Sequence, residues 1–100
     1  MSTHTPTQVT ALAAQAAANG FLSEHLPDRF TADQAERAGD VWRVPVVLAY
    51  PFVGAVGQVG EVLISAETEQ VVSFTPLAEM KSRAGELYEA HRDEIEAAFS

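Results

Sequence analysis

Between Trp42 and Tyr50 the chain alternates with a period of two. Trp42, Val44, Val46, Leu48 and Tyr50 share one side, and Arg43, Pro45, Val47 and Ala49 share the other. Successive side chains of an extended chain point to opposite faces, so this pattern is a β-strand. Its even-numbered face is apolar throughout and demands a core to bury it. Pro45 has no N–H for a ladder, so it sits at a sheet edge or its missing donor points outward. A second strand is expected from Gln58 to Ala66 and a third from Gln70 to Thr75, joined by the polar turn Glu67-Thr68-Glu69. Residues 40–75 thus read as an antiparallel meander.

Helices flank that meander. Residues 7–26 are rich in alanine, the best helix former, with Val9, Leu12, Ala13 and Ala16 at helical spacing. Asn19-Gly20 is a common helix stop, yet Phe21, Leu22 and Leu26 continue the apolar pattern, so the end falls between residues 19 and 26. Residues 1–6 are expected to be disordered. From Phe30 to Gly39 the pattern is weak and fits either a short edge strand or a connection. Thr75 and Pro76 suit an N-cap and a first helical position, opening a helix over 76–99. On it Leu77, Met80, Ala84, Leu87, Tyr88, His91, Ile95, Ala98 and Phe99 form one stripe, with Glu79, Glu86, Glu89, Asp93 and Glu96 outside it. The expected fold is α+β: one domain over 1–100, an antiparallel sheet of three or four strands, and N- and C-terminal helices packed on one face.

Composition narrows the functions. The chain has 100 residues and no cysteine, which excludes disulfide scaffolds, thiolate zinc sites, iron–sulfur clusters and cysteine nucleophiles. Fourteen acids against six Lys and Arg give a net charge of −8, the wrong sign for displacing phosphate counterions, so no nucleic-acid partner is expected. Met1 to Thr10 carry no Lys or Arg and no apolar h-region, so no secretory signal is read and a cytoplasmic location follows as the default. The uncharged run Val44–Gly60 is interrupted by Pro45, Pro51, Gly54, Gly57 and Gly60, and reads as strand, turn and strand; no membrane partner is expected.

Candidate chemistry dissolves on inspection. Gly54, Gly57 and Gly60 are followed by no Lys-Ser or Lys-Thr, so they fit a wide hairpin connection or a bulge better than a phosphate loop. His4, His25 and His91 are too scattered for a zinc signature; His91 and Glu94 have i, i+3 spacing, but the stripe makes His91 a packing residue. None of Ser23, Ser65, Ser73 or Ser82 lies in a Gly-x-Ser-x-Gly elbow. The pairs Glu67 with Glu69 and Asp93 with Glu94 belong to solvated surface, and Trp42 reads as a core anchor. No catalytic, metal or cofactor-binding residue is assigned, and the chain is not expected to be an enzyme.

A helix, then Trp42-x-Val44-x-Val46, then Val62-Leu63-Ile64-Ser65-Ala66-Glu67-Thr68-Glu69-Gln70-Val71-Val72, resembles the PepSY-like modules over residues 8–75. Those modules usually place an aspartate where Ser65 stands and a glycine where Glu69 stands. Glutamate lacks glycine's easy access to positive φ, so a different turn type is expected here. The resemblance implies a regulatory or inhibitory binding module, and it leaves the C-terminal helix unaccounted for.

The odd-numbered strand face supplies the candidate site. Val47 and Ala49, with Val59 and Val71 expected near them, are too apolar for a lone sheet surface and suggest an interface. The functional expectation is a non-catalytic protein-interaction module that forms a homo-oligomer or neutralises a partner protein. A small-molecule-binding domain is the alternative.

Overall fold

The structure is a computed structural model that describes residues 9–99, so the expectation of disorder over 1–6 lies outside the described residues. Along the chain run α1 (Ala11–His25), β1 (Phe30–Ala32), β2 (Glu36–Ala38), β3 (Val41–Tyr50), β4 (Gly54–Ser65), β5 (Val71–Phe74), α2 (Leu77–Ala90) and α3 (Arg92–Ala98). All strand pairs are antiparallel; β3 is flanked on one side by β1 and β2 and on the other by β4, which carries β5 at the far edge. The fold is α+β, as the period-two strand and the two helical segments require. The weakly patterned segment 30–39 resolves into two three-residue strands laid along β3.

The alternation of β3 is realised in full. Val44, Val46 and Leu48 are buried with Val62 and Ile64 of β4 beneath the helices, joined by Ala14, Ala18 and Leu22 of α1 and by Met80 and Ala84 of α2. This one core is what 100 residues can build. Trp42 anchors its rim: the indole N–H donates to the Val9 carbonyl at 2.8 Å, and the Arg37 guanidinium lies 5.6 Å from the ring centre.

β4 departs from plain alternation, and the glycines explain how. In Val53-Gly54-Ala55-Val56-Gly57-Gln58-Val59-Gly60 a Val-Gly pair recurs every third residue. Val46 pairs with Gly60 and Val47 with Gln58, then Leu48 with Gly57 and Ala49 with Ala55, so Val59 and Val56 are extra residues at two successive irregularities. Both extra residues turn to the core side: Val59 is fully buried and Val56 packs against the cluster. Gly57 and Gly60 make room there for α2. A Cβ on Gly57 would stand 2.7 Å from Leu87 Cδ2, and one on Gly60 would stand 2.8 Å from Thr75 Cβ. The glycine-rich stretch is therefore strand, and the connection is confined to Pro51–Val53, with Gly54 at φ 91° ending it.

Two helical expectations change. α1 buries Ala14, Ala18 and Leu22, whereas Leu12 and Ala16 of the expected stripe are exposed. An alanine-rich helix offers nearly equivalent faces, and side-chain hydrogen bonds help fix the choice. Asn19 Oδ1 accepts the Ala32 amide at 2.9 Å, and Gln15 Nε2 donates to the Ala32 carbonyl at 3.1 Å, so α1 satisfies β1 along its outer edge. The helix expected over 76–99 is divided at His91, whose φ of −117° and ψ of 19° end α2 and begin α3. Thr75 does not cap α2; its hydroxyl accepts the Glu61 amide at 3.0 Å, and Pro76 stands at the cap position.

Candidate interaction surface

α1 and α2 both pack against the same side of the sheet and, among the described residues, leave the other side open. Along β3 the open side carries Val41, Arg43, Pro45, Val47 and Ala49; their cross-strand partners on β4 are Ser65, Leu63, Glu61, Gln58 and Ala55. Thr31 of β1 and Glu36 of β2 extend it opposite Val47 and Arg43. Val41, Pro45, Val47, Ala49 and Leu63 are half-buried by one another, forming an apolar band. Across it Arg43 Nε meets Glu61 Oε1 at 3.4 Å, with both side chains well exposed.

Of the four residues expected at an interface, the structure brings together two. Val47 and Ala49 lie on the open face. Val59 does not: the irregularity after Gln58 reverses the parity of β4 and sends Val59 into the core. Val71 opposes Ile64, a core residue, and packs on the helix-covered side. Sequence alternation alone carries no signal for an inserted residue, so both assignments to the open face are corrected.

Sequence reasoning passed over the hairpin tip. Tyr50-Pro51-Phe52-Val53 closes with the Val53 amide donating to the Tyr50 carbonyl at 3.2 Å, and Phe52 at the third position has φ 68°. Proline second and a left-handed residue third make the pattern of a type II turn, where glycine or asparagine is the low-cost occupant. Phe52 is instead 92% exposed, so an aromatic ring is held in solvent on unfavourable backbone. A left-handed non-glycine residue costs about 1–2 kcal/mol. The readable signal was the dipeptide Pro51-Phe52 where Pro-Gly suits the turn.

An aromatic group buttresses this end of the molecule. The Arg29 guanidinium lies 5.1 Å from the Tyr50 ring centre and 5.9 Å from that of Phe99, and Tyr50 stands 6.2 Å from Tyr88. Tyr88 Oη donates to Glu96 Oε2 at 3.3 Å. Desolvation, with the Glu96 charge and hydrogen bond, raises the Tyr88 phenol above its ordinary value of 10.0. At the opposite sheet edge Phe74 stacks obliquely on Phe21, 4.7 Å between centres, with Phe21 in turn on His25 at 4.6 Å.

The remaining chemistry-bearing residues are dispersed. In the β4–β5 turn, Glu69 takes φ 67° despite its side chain, and the Ser65 hydroxyl accepts the amides of Glu67 and Thr68 at 3.1 Å each. The left-handed conformation that glycine reaches easily is here taken by glutamate. His91 Nδ1 lies 3.0 Å from Glu94 Oε1, so the i, i+3 pair is a local hydrogen bond rather than core packing. A surface depression of about 330 Å³ at this helix junction is lined by residues 89–94 and is polar and open, unlike the enclosed apolar clefts that take small molecules. Among the described residues no group of three or more His, Asp or Glu is placed to hold a metal ion, and no helix is long and apolar enough to cross a membrane.

Comparison with known proteins adds no relative: no family model matches the chain, and neither a curated protein nor a solved structure shows significant similarity to it.

Proposed function

We propose that this chain is a non-catalytic protein-interaction module whose docking surface is the open face of β3 and β4. The observation that carries the reading is the band Val41, Pro45, Val47, Ala49 and Leu63, which α1 and α2 leave uncovered. An antiparallel sheet with one solvated face normally alternates apolar with polar residues. Here four of the five outward positions of β3 are apolar, and Arg43 alone is charged. Phe52 supports the same reading, because backbone strain and aromatic exposure at one residue are tolerated where a contact uses them. The likeness to PepSY-like modules belongs here as well, since it implies regulation or inhibition through binding. The net charge of −8 favours a protein partner over nucleic acid or an anionic membrane, and the cytoplasm is the proposed location.

The test is a comparison of wild type with Val47→Arg, each purified by affinity from its native cells and examined for co-purifying protein. Val47 is half-buried on the open side, so the variant keeps its fold by circular dichroism while losing its bound protein. A folded variant with the same bound set as wild type sinks the reading.

A further inference from the structure

We infer that the open face is covered by a second copy of this chain, in a twofold face-to-face dimer that exchanges Arg43 and Glu61 between copies. The inference rests on the reading of that face as a docking surface and commits it to one occupant. Its physical basis is charge. A chain of net charge −8 repels itself wherever acids meet acids, so a self-contact needs an apolar centre and a cation that can face an anion. The open face has both. Arg43 stands beside two carboxylates: Glu36 is its direct cross-strand partner on β2, and Glu61, two pairs along on β4, meets it at 3.4 Å.

The Arg43–Glu61 pair is self-complementary about a twofold axis. A twofold axis lying in the gap between the two sheets, parallel to them and crossing the line from Arg43 to Glu61 at its midpoint, sets Arg43 of one copy over Glu61 of the other, and the reverse. Sheets stack about 10 Å apart, a gap that facing arginine and glutamate side chains can span. The same axis runs close to the other diagonal of this quartet, so Pro45 and Leu63 of one copy meet their counterparts in the other and form the apolar centre. Desolvating the bands removes water from around the exchanged pairs, which strengthens them beyond the exposed pair seen within one chain.

Area sets the strength. The sheet contains 32 strand residues. At roughly 3.3 Å of rise and 4.8 Å of strand spacing, their footprint is about 500 Å² per copy and about 1,000 Å² for two. That is at the lower limit for a specific interface, so the dimer is concentration-dependent rather than permanent.

Sedimentation of the pure chain over a wide concentration range tests this. Wild type is expected to rise from 10.7 kDa toward twice that mass. Arg43→Glu alone and Glu61→Arg alone are each expected to remain monomeric, because like charges then face each other across the axis. An equimolar mixture of the two variants is expected to recover the dimer. Circular dichroism confirms that each variant is folded, and the neutral variant Arg43→Gln, expected to dimerise more weakly than wild type, guards against loss of fold. A wild type that stays at monomer mass throughout, or variants whose mixture associates no better than either alone, overturns the dimer. If wild type is monomeric yet Val47→Arg still sheds a bound protein that wild type retains, the second copy is wrong and the docking face stands. If neither effect is seen, both fail.

Discussion

The two faces of β3 are built from one ten-residue strand and reach opposite ends. On the helix-covered side Val44, Val46 and Leu48 are at most 2% exposed, closed over by α1 and α2. On the other side Pro45, Val47 and Ala49, no more polar as residue types, stay partly open. Burial is therefore not a property of these side chains. It follows from which side the helices can reach, and α2 comes close because Gly57 and Gly60 have no Cβ to hold it away. Among the described residues the apolar positions of that second side are left without a helix over them.

The largest effect should come from challenging the closed side. Val46→Arg puts an unpaired charge among fully buried side chains and should cost on the order of 4 kcal/mol or more, enough to unfold much of a marginally stable domain. A circular dichroism melt like that of wild type would show the strand register to be wrong.

Next is the close approach of α2. Gly60→Ala sets a methyl against Thr75 Cβ at 2.8 Å and Met80 Cγ at 3.0 Å, and should cost about 1–3 kcal/mol in urea denaturation. Gly57→Ala meets only the end of Leu87, which can turn aside, so its cost should be smaller. Equal costs would mean that the two contacts yield equally. At the hairpin tip the sign reverses. Phe52→Asn accommodates φ 68° and should raise stability by about 1 kcal/mol, while weakening any association that uses the ring. A stability loss on this substitution would mean that the ring packs in the folded chain.

On the open side the fold should barely respond. Val47→Arg should change monomer stability by about 0.5 kcal/mol or less, measured at a concentration where only monomer sediments. A loss as large as that of Val46→Arg would erase the distinction between the faces. The smallest effect concerns Tyr88. Its phenol is raised above 10.0, so the folded chain holds that proton more tightly than the unfolded one. The stabilisation is complete below pH 10 and fades as pH rises through the folded value. Absorbance titration should show a late-ionising phenol that Tyr88→Phe removes; a Tyr88 that ionises at the ordinary value would deny the Glu96 contact.

Much of this was legible before the fold was known. Alternation from Trp42 to Tyr50 determined a strand with a buried face, alanine and the spaced apolar residues determined two helical segments, and charge with the lack of cysteine excluded whole classes of chemistry. These are local properties, set by backbone geometry and by residue type. The open face was half legible: Val47 and Ala49 follow from parity within one strand, while Val59 and Val71 needed the pairing between strands. Only the tertiary structure decided that Val56 and Val59 are inserted residues, that α1 buries Ala14 rather than Leu12, and that His91 breaks the last helix. The first two are settled by contact with a distant segment: β3 against β4, and Ala32 against Asn19. A linear pattern states which residues can be buried together, and the choice among equivalent faces is made by the surfaces they meet.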